Sequence, residues 1–359
     1  MSGTATKKLI RLYESAGSNV TRFLSGFFQS PPQNFHSTES VEIDIVRSDE
    51  DIAIVVEDLS TGSRMNSDDL YTNKEFKPPI YDEAMAINAY DALKRSPGAN
   101  PFGDVNVQST IVTRAFKNYQ KIEKKIRRAI EFQASQVLQT GVVDLKNAAG
   151  VSLYAIDYKP KATHFPTAGT AWSDPAAPVL GDLLALATVV RSDGLVNPNT
   201  LIMGEDAFEN AVKNTQFKER FDVRRIDLGR VSPMQVNGEG GQYRGVVEIG
   251  TYMFDIWTYG ARYKDPQTGN STPYVDPDKV IMLALPGTVL DATFGAVPMI
   301  APPDARVAPF MPSRMQANGV DMFPNVWLTP DGKQLIAGLA SRPLMIPTGI
   351  DTFGCITTA

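Results

Sequence analysis

Apolar and polar positions change rhythm several times along this chain, and each change marks an element. Residues 1–40 are polar and broken by Gly17, Gly26, Pro31 and Pro32, with one apolar patch, Phe23-Leu24 and Phe27-Phe28, that reads as the docking point of an arm, with neighbouring subunits among the surfaces it could reach. From Val41 the period becomes two. Val41, Ile43 and Ile45 alternate with Glu42 and Asp44, and Ile52, Ile54 and Val56 repeat the pattern, which predicts strands. The next run, Glu57 to Phe76, is polar and rich in turn formers and closes on Lys77-Pro78-Pro79. A structureless stretch of that length is unusual inside a compact domain, so it is expected to project as an extended two-stranded loop.

The strongest helical pattern runs from Asn106 to Thr140 and stops at Gly141, a residue suited to a helix C-cap. Val112, Ala115, Tyr119, Ile122, Ile126, Ala129 and Val137 recur at three- and four-residue steps, and Phe116, Ile130 and Ala134 widen the stripe. Such a helix is roughly 50 Å long. A compact globule of this size has a radius of gyration near ~21 Å, so the body is expected to be elongated or flattened. Short strands follow at Val142-Val143 with Leu145 and at Ser152 to Tyr158. A Pro/Gly/Ala stretch, Pro160 to Pro178, reads as a domain boundary. Beyond it the pattern predicts helices at Gly181 to Arg191 and Glu205 to Asn214, the second with Glu205 and Asp206 at its positive end. Strands are predicted at Thr200 to Met203, Val246 to Tyr259, Val280 to Leu285, Val326 to Leu328 and Gln334 to Ile346.

Composition narrows the picture. A chain of 359 residues exceeds one ordinary core, so two packed regions are expected. A formal charge of −5 argues against wrapping nucleic acid with the whole surface. The lone cysteine, Cys355, excludes an internal disulfide framework and reads as a small buried hydrophobe in the last strand. The longest nearly apolar run, Val280 to Leu290, falls short of a membrane span, and the first residues lack the apolar run of a signal peptide. No membrane association is expected.

Candidate chemistry is sparse. The two histidines, His36 and His164, have no partners at metal-ligand spacing, and no nucleophile signature accompanies them. The glycine run Gly238-Glu239-Gly240-Gly241 lacks the Lys-Ser/Thr ending of a phosphate loop and reads as a turn. The carboxylates Asp49-Glu50-Asp51 and Asp68-Asp69 lie in polar loop sequence and read as solvated charge. No catalytic residue, metal site or cofactor is expected. The long helix does carry a cluster: Arg114, Lys117, Lys121, Lys124, Lys125, Arg127 and Arg128 against only Glu123 and Glu131. It reads either as a solvated face or as a stripe contacting nucleic-acid phosphates without sequence preference.

Seven stretches, in order, are similar to a known family. They are FLSGFF (Phe23 to Phe28), DIAIVVEDLSTGSRM (Asp51 to Met65), EFKPPIYDEAM (Glu75 to Met85), QKIEKKIRRAIEFQASQVLQTG (Gln120 to Gly141), AGTAWSDPAA (Ala168 to Ala177), NTLIMGEDAFENAVKNTQFKERFDVRR (Asn199 to Arg225) and FPNVWLTPDGKQLIAGLASRPLMIP (Phe323 to Pro347). Across about nine tenths of its length the chain resembles the lambda-type major capsid proteins of tailed phages, the phage major capsid protein E family, a branch of the Hong Kong 97 shell fold. Where family members often carry basic residues after the loop-exit proline, this chain has Tyr81-Asp82-Glu83.

The resemblance implies an α+β fold: an N-terminal arm (1–40), an extended E-loop with flanking strands (41–82), and a P domain (83–177) with a spine helix at 106–140. An A domain (178–322) and C-terminal strands returning to the P domain (323–359) complete it. It implies a virion structural protein, made in the host cytoplasm, that self-assembles into pentamers and hexamers. Scaffold, portal and decoration proteins are the implied partners, with packaged DNA facing the basic stripe. Leu59, Met65, Leu70, Tyr71 and Phe76 are the candidate inter-subunit anchors of the E-loop. The competing readings are a tail-tube subunit and a cytoplasmic hydrolase.

Overall fold

Helix α1 (Val107–Thr140) is the beam on which the other parts rest. Of the predicted apolar stripe, Ala115, Tyr119, Ile122, Ile126, Ile130, Ala134 and Val137 are buried, while Phe116 and Ala129 stay partly exposed. Gly141, at φ +67°, ends it in the left-handed conformation that a Cβ disfavours, with its N–H bonded to the Val137 carbonyl. The structure is a computed structural model that describes residues 23–36, 38, 41–46, 71–88, 107–146, 149–222, 226–227, 230–231, 240–297, 321–329, 331 and 333–358.

Three strands precede the helix, β1 (Val41–Val46), β2 (Tyr71–Phe76) and β3 (Tyr81–Asn88), and two follow it, β4 (Val142–Lys146) and β5 (Ser152–Asp157). The next region contains α2 (Val179–Gly194), β6 (Thr200–Met203), α3 (Glu205–Lys213) and α4 (Thr215–Arg220). After these come short strands β7 (Phe221–Asp222), β8 (Ile226–Asp227) and β9 (Arg230–Val231), the hairpin β10 (Gly241–Ile249) and β11 (Tyr252–Tyr259), then β12 (Arg262–Lys264), β13 (Ser271–Pro273), β14 (Lys279–Leu283) and β15 (Asp291–Phe294). The chain closes with β16 (Phe323–Leu328), β17 (Gln334–Ser341), β18 (Pro343–Ile346) and β19 (Phe353–Thr357).

Two cores result. In the first, β16, β17 and β3 form an antiparallel sheet that lies along α1 with the β15–β18 pair and the arm. In the second, α2, α3 and α4 cover a six-stranded sheet of order β19-β14-β6-β11-β10-β7, antiparallel except for β6 against β11. Covered on both faces, β6 and β14 read as continuous apolar runs, whereas β10 nearer the edge alternates buried and partly exposed positions.

Three contacts add to the sequence reading. The Pro160 to Pro178 stretch docks along β19, with Thr357 N–H donating to the Pro166 carbonyl and Ala168 N–H to the Thr357 carbonyl. Trp172 within it is 2% exposed, its indole N–H bonded to Asp182 at 2.9 Å. A proline lacks a donor, but its carbonyl still accepts, so such a segment can flank a sheet edge. Next, β19 hydrogen-bonds to β14 at the edge of the six-stranded sheet and not to β16 or β17. Its residues Phe353 to Cys355 are buried: the strand pairs with β14, and Phe353 and Cys355 join the core that lies along α1. Lastly, arm residues 23–36 pack on their own subunit. Gln29 and Phe35 make parallel bridges to Asp291 and Phe294, extending the β15–β18 pair by one edge.

Candidate functional site

The basic cluster of α1 resolves into a stripe and an exception. At about 100° of rotation per residue, Arg114, Lys117, Lys121, Lys124 and Arg128 fall within an arc of about 80°. That arc is centred about 160° from the buried stripe of Ala115, Tyr119, Ile122, Ile126 and Ile130. Lys117, Lys121, Lys124, Lys125 and Arg128 are exposed and Arg114 is half-buried. Lys125, at the edge of the arc, pairs with Glu83 at 2.8 Å. Both ends of that pair are about half exposed, so it contributes about 0–1 kcal/mol. This pairing also places the atypical Tyr81-Asp82-Glu83: Glu83 meets the helix of its own subunit, and the Tyr81 hydroxyl accepts from Gln133 at 2.8 Å.

Arg127 is the exception and leaves the predicted stripe. It lies on the flank of the helix, 9% exposed, where its guanidinium grips both oxygens of Asp321 and approaches Glu123 at 3.9 Å. A two-pronged pair of this kind fixes geometry, here tying α1 to the start of the β16–β17 hairpin. The stripe also ends abruptly. Ser135 and Gln139 continue its angular position yet are buried, and residues 274–276 lie over Gln139, which donates to the Tyr274 carbonyl at 2.8 Å and accepts from Asp276 N–H at 2.9 Å.

Of the E-loop candidates, Leu59, Met65 and Leu70 lie outside the described residues. Tyr71 opens β2, opposite Val46. Phe76 closes β2, opposite Val41. Its ring is 8% exposed and packs on Tyr158 of the same chain at 5.5 Å, leaving little surface for a neighbour. Just beyond it, Arg342 (1% exposed) donates to the Pro78 carbonyl through Nε and Nη2 and to the Ala296 carbonyl through Nη1 at 3.0 Å. The base of the loop is thus held by a buried guanidinium on backbone oxygens.

A family model described as phage major capsid protein E matches residues 6–356. The chain belongs to this family. It is a phage major capsid protein, a structural subunit of the icosahedral head and not an enzyme. Among solved structures, a protein described as a prophage capsid protein from E. coli CFT073 superposes with a TM-score of 0.68 at 15% identity, covering 99% of each chain. A phage-related protein from Bordetella bronchiseptica RB50 gives 0.52 at 10% identity, covering 98% of this chain and 96% of its own. Both share the fold, the Hong Kong 97 capsid fold expected from the sequence. No sequence among curated proteins matches.

Within the capsid subunit the histidines take plain positions. His36 sits half-buried at the end of the arm. His164 is fully buried, its Nδ1 facing the Phe353 carbonyl at 2.8 Å and its Nε2 facing Asp193 at 3.0 Å. Burial opposes ionisation of Asp193, but hydrogen bonds from Lys161 and His164 outweigh it and hold the carboxyl below its ordinary value. The cluster pins the Pro-rich segment to α2 and β19. Burial pushes the Cys355 thiol up to about 12, so it behaves as the small hydrophobe expected of it.

Sequence reasoning missed three residues that join the parts of the capsid subunit: Glu131, Arg342 and Gln139. Two of them carried a readable signal. Arg342 interrupts the mostly apolar run Leu335 to Ile346, and Glu131 stands between Ala129-Ile130 and Phe132. A charge at such a position must find partners when buried.

Proposed function

We propose that this subunit builds its shell from pentamers and hexamers, with the E-loop lying across a neighbouring subunit and the basic face of α1 turned to the lumen. The observation that carries the loop assignment is the pairing of Val46 with Tyr71, which brings the two residues flanking segment 47–70 side by side, as the base of a two-stranded loop requires. Leu59, Met65, Leu70 and Tyr71 remain the candidate anchors on a neighbour. The exposed arc of α1, opposite its buried stripe, supports phosphate contact without sequence preference. The division into a P domain (83–177) and an A domain (178–322) near the symmetry axes is retained, with β19 assigned to the A-domain sheet. Scaffold, portal and decoration proteins are the proposed partners, and the host cytoplasm the place of synthesis.

The loop assignment is tested by replacing residues 47–70 with a short Gly-Ser turn, which keeps the β1–β2 pairing. Folded, soluble subunits that fail to close shells are expected under conditions in which the unaltered chain gives closed spheres by negative-stain microscopy. Normal particles from the shortened chain would sink the proposal.

A further inference from the structure

Glu131 lies on α1, 1% exposed, where the arm, the helix and the A-domain sheet meet. Its carboxylate takes four hydrogen bonds, all from neutral donors. Oε1 accepts from Leu24 N–H at 2.7 Å and from the Tyr259 hydroxyl at 2.8 Å. Oε2 accepts from Ser25 N–H at 3.0 Å and from the Ser25 hydroxyl at 2.6 Å. A carboxylate offers about four acceptor positions, so this one is filled, with arm donors on both oxygens and the end of β11 on one.

The arm is seated beside it by shape. The Phe23 ring lies 5.1 Å from Tyr259 and 5.6 Å from Trp257. It also lies flat against Gly241, where a Cβ would come within 2.3 Å of the ring. Gly241, which looked like part of a turn in the sequence, is the floor of this seat. The A domain has further ties to the helix, with Phe132 on Tyr263 at 5.0 Å and Gln139 on residues 274–276, so the junction does not rest on Glu131 alone.

We propose that Glu131 is a positioning residue that couples the seating of the arm to the docking of the A domain on the spine helix. The coupling follows from sharing. If the arm leaves, a buried carboxylate keeps one donor of four; if Tyr259 is lost, the oxygen that holds Leu24 loses its second donor. A buried charge stripped of partners is expensive, so each contact raises the cost of breaking the other. The arm is therefore seated only when the two halves of the subunit stand at the right angle, which makes its seating a read-out of subunit shape.

The test is hydrogen–deuterium exchange by mass spectrometry on unassembled subunits, so it is independent of whether the loop and lumen assignments hold. Glu131→Gln offers one acceptor oxygen where two are used. Exchange in residues 23–28 is expected to rise roughly tenfold or more, the size associated with losing hydrogen bonds to a charged acceptor. Gly241→Ala should do the same by displacing Phe23 without touching the carboxylate. Tyr259→Phe removes only a hydroxyl from the A-domain side, and a smaller rise in residues 23–28 is the signature of coupling. In all three, the α1 segment around Ile122 and strands β6 and β14 should stay protected. Unchanged arm exchange in Tyr259→Phe overturns the coupling. Unchanged arm exchange in Glu131→Gln, or a uniform rise that includes β6 and β14, overturns the positioning role.

Discussion

Neutralising part of the basic face of α1 is expected to change how DNA binding depends on salt, and the size of the change can be worked from the helix. From Arg114 to Arg128 the stripe covers about 21 Å of helix axis. One DNA strand presents a phosphate every ~3.4 Å of duplex rise, so about six phosphates lie alongside the five cations Arg114, Lys117, Lys121, Lys124 and Arg128. With all five engaged, log K falls against log salt with a slope near −4.5, a loss of about 500-fold in affinity between 50 and 200 mM. The double change Lys121→Gln with Lys124→Gln removes two contacts, giving a slope near −2.7 and a loss of about 40-fold over the same range. Fluorescence anisotropy of a labelled duplex titrated with unassembled subunits, repeated over several salt concentrations, reads both slopes. A control pair, Lys213→Gln with Lys218→Gln, alters net charge equally on exposed positions of the other domain. Phosphate contact by this face is refuted if the control pair lowers the slope as much as the stripe pair, or if the stripe pair leaves it unchanged.

Two further outcomes follow from the buried groups. Asp193→Asn should destabilise the subunit at neutral pH by about 1–3 kcal/mol, because His164 and Lys161 lose a charged acceptor. Because the carboxyl is held below its ordinary 3.8, its contribution is present above that value and is lost as pH falls through the lower folded value. Urea titrations should therefore show the gap between wild type and variant closing below about pH 4, and equal stabilities at pH 7 would contradict the assigned role. Cys355, with its thiol pushed up to about 12 by burial, should ignore a disulfide-exchange reagent at pH 8 while the subunit is folded and react fully in denaturant; rapid labelling of folded protein would contradict its enclosed position.

Periodicity was enough wherever one element buries a face by itself. The α1 stripe could be read from three- and four-residue steps because a helix 34 residues long repeats its signal many times. The same spacing also held the information that sets Arg127 apart: it falls about 100° from the centre of the other cations, towards the packed side. Charge alone grouped it with them, and only angular position separates a paired flank residue from a solvated one. For β19, by contrast, five residues carry no period, and an apolar run fits any two-sided sheet.

The family, the α+β fold and the long helix were thus determined by the sequence, because ordered motifs and helical periodicity are properties of a linear string. What the tertiary structure alone decided is which distant residues share one contact. Glu131 meets Leu24 and Ser25 across more than a hundred positions, Arg342 meets Pro78 across 264, and the Pro-rich stretch that looked like a boundary closes on β19. Buried polar groups must be satisfied by whatever the fold brings to them, and no local pattern encodes partners so far away.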